Sequence, residues 1–347
     1  MKKIKIKNEE FNIKNPLIIA EVGQSHEGSE GLVHSMIDYL YEVGCQAIKF
    51  QIHLSEYESS LEDQFRVNFS YEDKNRFEYW KRIEFKKEQW VRLLKHCKKK
   101  QMLVGASVFS LEALEIINSN ELDFIKIGSG DLQFKKLINQ ISKLDIPVIV
   151  SSGMANWDEL KEIKTKFRKH IKNNKFSILH CTTEYPTSPE NIGFNNVKLI
   201  EDKFGIPSGL SEHSGNKLTA YYALAKGCTI IETHVTFDKK MFGPDSSSSL
   251  IISDFGEIIK AKNYFQKLNT QTNKDTFEEK LKATKIKFAR SIGIKKNIKK
   301  GQTITKNDIV WRKPGGYLNE DDLKNVIGKK AKYNLDAKNI LKKEDIE

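Results

Sequence analysis

Proline and cysteine are both scarce, with 7 and 4 in 347 residues, and no long apolar run exists anywhere in the chain. With 39% hydrophobic and 30% charged residues, so little proline argues for an ordinary folded chain and against a disordered one. Cys45, Cys97, Cys181 and Cys228 lie far apart with no Cys-x-x-Cys pair. That spacing argues against a zinc knuckle, a redox motif or a disulfide framework, and leaves reduced core thiols. No apolar stretch approaches the roughly 20 residues a membrane span needs. The opening "MKKIKIKNEEFNIKN" is basic but has no hydrophobic run to make it a leader peptide. A cytoplasmic protein without a membrane partner is expected. The formal net charge of +12 raises the question of nucleic acid. The lysines, however, are scattered through amphipathic stretches such as "KKEQWVRLLKHCKKK" and are not gathered beside aromatic stacking motifs. No nucleic-acid partner is expected, whereas an anionic substrate would gain from the positive field.

What the chain does have is alternation. Short β-branched runs occupy 17–23, 47–53, 102–108, 123–130, 147–153, 176–182, 206–213 and 229–236. Between them lie amphipathic segments such as "GLVHSMIDYLYEVG", "SLEALEIINSN" and "KLTAYYALAKG", ending at glycine or asparagine as helix C-termini do. This pattern predicts an α/β fold, a closed parallel (β/α)8 barrel of the TIM type, with a doubly wound open sheet as the arrangement that shares most of it. At 40.0 kDa the chain exceeds such a barrel, which commonly takes about 250 residues.

Each run starts apolar and turns polar at its carboxyl end, at Glu21, Lys49 and Gln51, Ser107, Lys126 and Ser129, Ser151, Thr182, Ser211 and His213, and His234. In a parallel barrel those ends open on one face, where sites of this fold are built. Small polar residues also end strands simply because chains turn there. That explanation suits the serines and threonines singly. It suits Lys49, Lys126, Glu21 and the two histidines poorly, because charges within β-branched runs are unfavourable unless paired or engaged by a ligand.

Near the end the chain repeats itself. "NIKKGQTITKNDI" (297–309) lines up with "NLDAKNILKKEDI" (334–346), which predicts a small pseudo-symmetric domain. The expected division is a barrel over 1–265, a linker over 266–284 and a small β-rich domain over 285–347.

The series "AEVGQSHEGS", "AIKFQ", "KIGSGDL", "SSGMA", "HCTTEYPT", "GLSEHSG" and "ETHVTFDKKMFGPDSSSSL", in this order, resembles the motifs of the sialic acid synthase family. The repeated segment, entered through "FARSI" (288–292), resembles the antifreeze-like (SAF) domain that the family carries. The likeness runs from about residue 16 to 347. It implies a metal-dependent condensation of phosphoenolpyruvate with an open-chain N-acetylated hexose, giving a nine-carbon 2-keto acid and phosphate. The hexose would be N-acetylmannosamine or a di-N-acetylated 6-deoxyhexose. By the same resemblance Lys49, Gln51, Ser107, Lys126, Ser129, Ser151 and Ser211 hold phosphoenolpyruvate. His213 and His234 hold a divalent cation, Mn2+ first, and Glu21 activates the attacking water. Tyr185 and Asp245 meet the sugar. His26, in the loop after the first strand, is expected within reach of substrate, and His180 in the core.

The family also implies a domain-swapped homodimer in which an arginine crosses to the partner's sugar. Here "WRKPGG" offers Arg312, with Lys313 next to the proline. Ser25, Thr183 and Ser246 replace residues usual in the family, and they bear on the acceptor more than on the reaction. Two alternatives stand beside this reading. One is a synthase of the Kdo-8-phosphate or DAHP type, disfavoured because the barrel-face segments hold almost no arginine for a phosphorylated acceptor. The other is a non-catalytic sugar-binding homologue, which predicts lost lysines or histidines where none is lost.

Overall fold

Runs that are apolar at the start and polar at the end suit strands whose first half faces a core and whose last half faces a cavity. In the computed structural model, which describes residues 1–117, 121–268 and 273–347, these runs form eight parallel strands. They are β1 Leu17–Gly23, β2 Ala47–Ile52, β3 Leu103–Val108, β4 Phe124–Ile127, β5 Val148–Ser151, β6 Phe176–His180, β7 Ser208–Glu212 and β8 Ile230–Thr236. The helices that follow them are α1 Glu30–Glu42, α2 Lys87–Lys99, α3 Leu111–Ile116, α4 Lys135–Ile141, α5 Trp157–Lys166, α6 Asn195–Phe204, α7 Lys217–Ala225 and α8 Ile252–Leu268. The expected end of α3 at Asn120 lies outside the described residues. Strand β8 pairs with β7 and also with β1, Ile230 opposite Leu17 and His234 opposite Glu21, so the sheet closes. The open-sheet alternative is thereby excluded.

The period of two along each strand sorts the side chains. Ile18, Ala20 and Val22 of β1 face outward to a core shared with Val33, Met36, Ile37 and Leu40 of α1. Leu17 and Ile19 face inward, into a layer with Ala47, Leu103, Phe124, Ile149, Leu179 and Ile230. Gly105 makes room in this layer, since a Cβ there would fall 2.1 Å from the Phe124 ring. One step further up each strand the inward positions become polar.

The floor of the barrel is closed by a part of the sequence whose role its composition did not signal. Residues Ile4–Ile6 and Glu9–Phe11 form an antiparallel hairpin, and Ile4, Ile6 and Phe11 are completely buried against the inner layer. Burying three such side chains contributes about 1.5–3 kcal/mol each. The β2–α2 connection is the long one. It holds two short helices, Ser55–Glu58 and Arg76–Ile83, and an aromatic cluster in which Phe65 and Phe69, joined by Phe242 from the segment after β8, pack on Tyr79 and Trp80.

The chain divides into two units, Met1–Asn269 and Thr270–Glu347. Of the stretch 266–284 expected as a linker, the start completes α8, residues 269–272 lie outside the described residues, and the rest carries helix Lys274–Lys280 and the beginning of Lys282–Phe288. In the second unit β9 Ser291–Ile294 pairs antiparallel with β10 Ile309–Arg312 over a core that includes Ile292, Ile294, Ile298, Ile304 and Leu341. The two sequence copies meet reciprocally. Asn297 Oδ1 accepts from Ala337 N and Asn334 Oδ1 from Lys300 N, each at 2.9 Å, while Ile298 and Leu335 exchange backbone hydrogen bonds. Each copy then ends in the same capped turn, with Asp308 accepting from Thr305 N and Asp345 from Lys342 N. All four cysteines are buried and free. Among the described residues no helix is long and apolar enough to cross a membrane.

Candidate active site

The inward positions above the apolar layer line one cavity of about 410 Å3 at the carboxyl ends of the strands. Glu21, Lys49, Gln51, Ser107, Lys126, Ser129, Ser151, Tyr185, Ser211, His213 and His234 all line it. Register explains the convergence. His234 stands level with Glu21 and Glu21 with Lys49, while Gln51 stands level with Ser107 and Ser107 with Lys126. A second cavity of about 510 Å3 adjoins the first through Gln51, Arg76, Tyr185 and His234, and adds Asp245, Thr183 and Arg66.

Four charged groups sit at the bottom of the first cavity, none more than 4% exposed: Glu21, Lys49, Lys126 and Glu232. A lone ion at such depth would cost several kcal/mol, so the groups are paired. Lys49 contacts Glu21 and donates to Ser107 Oγ at 3.0 Å. Lys126 donates to Glu232 Oε1 at 2.7 Å, which also accepts from Ser211 Oγ at 3.0 Å. Glu21 Oε1 accepts from Gly23 N at 2.7 Å. Burial pulls the Lys49 ammonium below the usual lysine range, and Lys126 nearby adds to the fall. Burial alone would raise the Glu232 carboxyl, but Lys126 and Lys49 overcome it and bring it down to about 2.

His213 and His234 stand side by side, ring centroids 5.6 Å apart. Burial lowers both to about 3, with His234 the further cause at His213 and Lys49 at His234, so both are neutral imidazoles offering lone pairs. His213 Nδ1 donates to Thr182 O at 2.8 Å, which leaves Nε2 beside the Tyr185 hydroxyl at 3.2 Å. His234 Nδ1 is buried without a hydrogen-bond partner, 3.6 Å from Asp245 Oδ2. Gly23, at φ +52°, passes so close that a Cβ would lie 3.1 Å from that nitrogen. Among the described residues no cluster of three or more His, Cys, Asp or Glu side chains is arranged to hold a metal. Two neutral imidazoles with an unpartnered buried nitrogen do fit a divalent cation whose remaining positions go to water and substrate.

Other expected residues fall elsewhere. His26 is buried, stacks on Phe85 with centroids 4.6 Å apart, and accepts from Gly28 N at 3.0 Å; it lines neither cavity, so its expected approach to substrate is corrected. The loop turns its ring into the wall because Phe85 offers an apolar face there. His180 contacts Ile192 O at 2.7 Å. Of the three departures Thr183 alone lines the second cavity, while Ser246 Oγ donates to Phe242 O and Ser25 Oγ is buried without a partner. Arg312 belongs to the second unit, where its stem covers Gly293 and its Nε is buried without a partner, and Lys313 lies over the Phe288 ring.

Several lining residues escaped the sequence reading. Glu232 precedes His234 by two on β8, so strand periodicity alone places it on the same face. Glu58, Trp80, Arg66 and Arg76 come from the β2–α2 connection, which carries no strand signal. Asp131 follows β4 in the turn Ser129–Gln133, and burial, with Glu58 close by, raises its carboxyl to about 7.

Residues 36–274 match the model of the NeuB family, and residues 289–347 match the SAF domain. An N,N'-diacetyllegionaminic acid synthase of Campylobacter jejuni is 27% identical over 95% of this chain and 100% of its own. An N-acetylneuraminate-9-phosphate synthase of Drosophila melanogaster is 26% identical, with 92% of each chain covered. A crystal structure of N-acetylneuraminic acid synthetase from Leptospira borgpetersenii, in complex with citrate, superposes with a TM-score of 0.69 at 26% identity, over 81% of this chain and 96% of that one.

Proposed function

Because the chain belongs to the NeuB family, we propose that it is a nonulosonic acid synthase, condensing phosphoenolpyruvate with the open-chain form of an N-acetylated hexose. The product is a nine-carbon 2-keto acid of the sialic acid type, and inorganic phosphate leaves through C–O cleavage. The observation that carries this reading is the meeting of two buried ammonium groups and two neutral imidazoles in one cavity. An enol phosphate needs cations and short donors in a fixed cradle. Lys49 and Lys126 supply the charge, and Ser107, Ser129, Ser151 and Ser211 the hydroxyls. Glu232 holds Lys126 and Ser211 in place before the anion arrives. A divalent cation held by His213 and His234, Mn2+ in the first instance, would supply Lewis acidity toward the aldehyde oxygen. Glu21 takes the proton of the water that adds to C2, and Gly23 N keeps one of its oxygens fixed while the other faces Lys49.

The sugar occupies the second cavity, against Tyr185 and Asp245. A specific observation also favours an acceptor that bears an anionic group. Arg66, above the Tyr185 ring with its guanidinium carbon 4.7 Å from the centroid, has no ion-pair partner among the described residues, and Arg76 lines both cavities. The barrel-face segments hold almost no arginine, but the β2–α2 connection delivers two, of which Arg76 is paired with Asp63 at 3.4 Å and Arg66 is the one left to meet an anion. Such an acceptor would parallel the phosphorylated product in the name of the Drosophila relative.

The reading extends to a homodimer in which Arg312 serves the partner's sugar. Phe277, Leu281, Ile286 and Phe288, all exposed, offer apolar surface for a second copy. A monomer in sedimentation at working concentration would remove this part. The test of the whole is phosphate release from phosphoenolpyruvate with Mn2+ against N-acetylated, di-N-acetylated and phosphorylated hexoses. Release with one of them is expected, and silence with every sugar refutes the proposal.

A further inference from the structure

His53 lies just beyond the end of β2, buried, in an arrangement that the proposed chemistry leaves unused. Its ring is sandwiched between Trp80 and Phe109, with centroids 4.7 and 4.3 Å away and planes tilted by 11° and 6°. Nδ1 is 2.7 Å from Glu58 Oε1 and Nε2 is 3.1 Å from Gln51 Oε1. Both contacts are to oxygens that accept, so each ring nitrogen carries a hydrogen and the ring is the imidazolium, its charge met by the Glu58 carboxylate. With both faces covered and both nitrogens engaged, it has only a ring edge to present to the second cavity. Its action on a ligand in the first cavity has to pass through a neighbour.

That neighbour is Gln51. A glutamine amide carries one oxygen, which accepts, and one NH2, which donates twice. Gln51 Oε1 is already taken, by His53 and by Gln24 Nε2 at 3.4 Å. Its NH2 donates to no described residue, and the side chain lines the first cavity beside Lys49 and Ser107. An unheld glutamine would turn either end toward an incoming ligand, and its oxygen would repel an anion. Held by the imidazole, it presents donors.

We infer that His53 is a positioning residue of the phosphoenolpyruvate site, fixing the Gln51 amide with its N–H groups toward the anion and tying that choice to the fold of the β2–α2 connection. The tie is physical, because Glu58 and Trp80, which hold the imidazole, both belong to that connection. The inference rests on the reading of the cavity as a phosphoenolpyruvate site.

The variants are His53→Phe, which keeps a ring between Trp80 and Phe109 but removes both donors, Gln51→Ala, and the two combined. Calorimetric titration of phosphoenolpyruvate into the full-length Mn2+-loaded protein, and steady-state KM for each substrate, are the readouts. His53→Phe should raise the Kd and KM for phosphoenolpyruvate about tenfold, leave the KM for the sugar within about twofold, and add nothing in the Gln51→Ala background, as residues acting as one unit do. A merely structural role would lower the melting temperature and multiply with Gln51→Ala, and that result overturns the inference while the reading of the site stands. Wild-type protein that binds no phosphoenolpyruvate overturns both. Should His53→Phe not fold, His53→Asn, too short to reach Gln51, replaces it with the same expected outcomes.

Discussion

The two cavities meet at Gln51, Tyr185 and His234, yet they are made differently. The first is built at its base from strand ends, whose side chains are held at fixed heights by the registers of a closed barrel and whose charged groups are neutralised in pairs. The second is built mostly from connections: the aromatic-laced segment after β2, the turn around Thr183 and Tyr185, and the loop around Asp245 after β8. A scaffold of strands keeps the geometry that a shared reaction requires. Connections tolerate substitution, and they are where an acceptor would be chosen.

The largest effect should come from the strand-built half. Lys126→Met, made together with Glu232→Gln so that no carboxylate is left buried alone, should lower kcat/KM for phosphoenolpyruvate by roughly a hundred- to a thousandfold, the scale of about 2.7–4 kcal/mol for losing one preorganised donor to developing charge. The KM for the sugar should hardly move. An equal loss on both substrates would dissolve the distinction between the halves.

His213→Ala and His234→Ala come next. Each should abolish retained manganese, measured by elemental analysis after dialysis, and lower turnover at least about a hundredfold. Retention of both metal and activity in either variant would remove the imidazole pair from the reaction.

In the loop-built half Arg66→Ala should raise the KM about tenfold for a phosphorylated acceptor and leave a neutral one unchanged, in line with about 1.5–3 kcal/mol for a charge-assisted hydrogen bond. Equal effects on both acceptors would return Arg66 to packing on Tyr185.

Acid stability sharpens the contrast from another side. His213 and His234 are lowered to about 3 by burial, while an unfolded chain protonates its histidines near 6.5. Between those values the unfolded state binds protons that the fold refuses. Stability is therefore fully present above about pH 6.5 and falls as the pH drops toward 3, by up to about 1.4 kcal/mol per pH unit for each ring. Melting curves of metal-free protein at several pH values should show this slope, and His234→Gln should flatten it. An unchanged slope would mean that acid acts elsewhere.

Much of the strand-built half was legible in the sequence because period-two alternation carries both position and facing. Glu21, Lys49, Lys126, Ser211 and His234 stand where apolar runs turn polar, and each lines the cavity. Glu232 was equally legible, two residues before His234 on the same face of the same strand. The loop-built half was not legible. Arg66, Arg76 and Trp80 reach the site through a connection whose path is set by Phe65 and Phe69 packing on Tyr79, contacts distant in sequence from any strand. His26 misled for the opposite reason: a loop position near a strand end says nothing of which way the ring turns. The terminal hairpin escaped notice because two strands of three residues leave almost no periodic trace.

That hairpin has a functional corollary. Ile4, Ile6 and Phe11 stopper the vessel from below, so among the described residues the way in and out is the mouth at the strand ends, and whatever settles deepest must arrive before the larger guest and depart after it. With Lys49 and Lys126 at the bottom, the enol phosphate would load first and free phosphate would exit last. Product-inhibition patterns would then show phosphate competing with phosphoenolpyruvate alone.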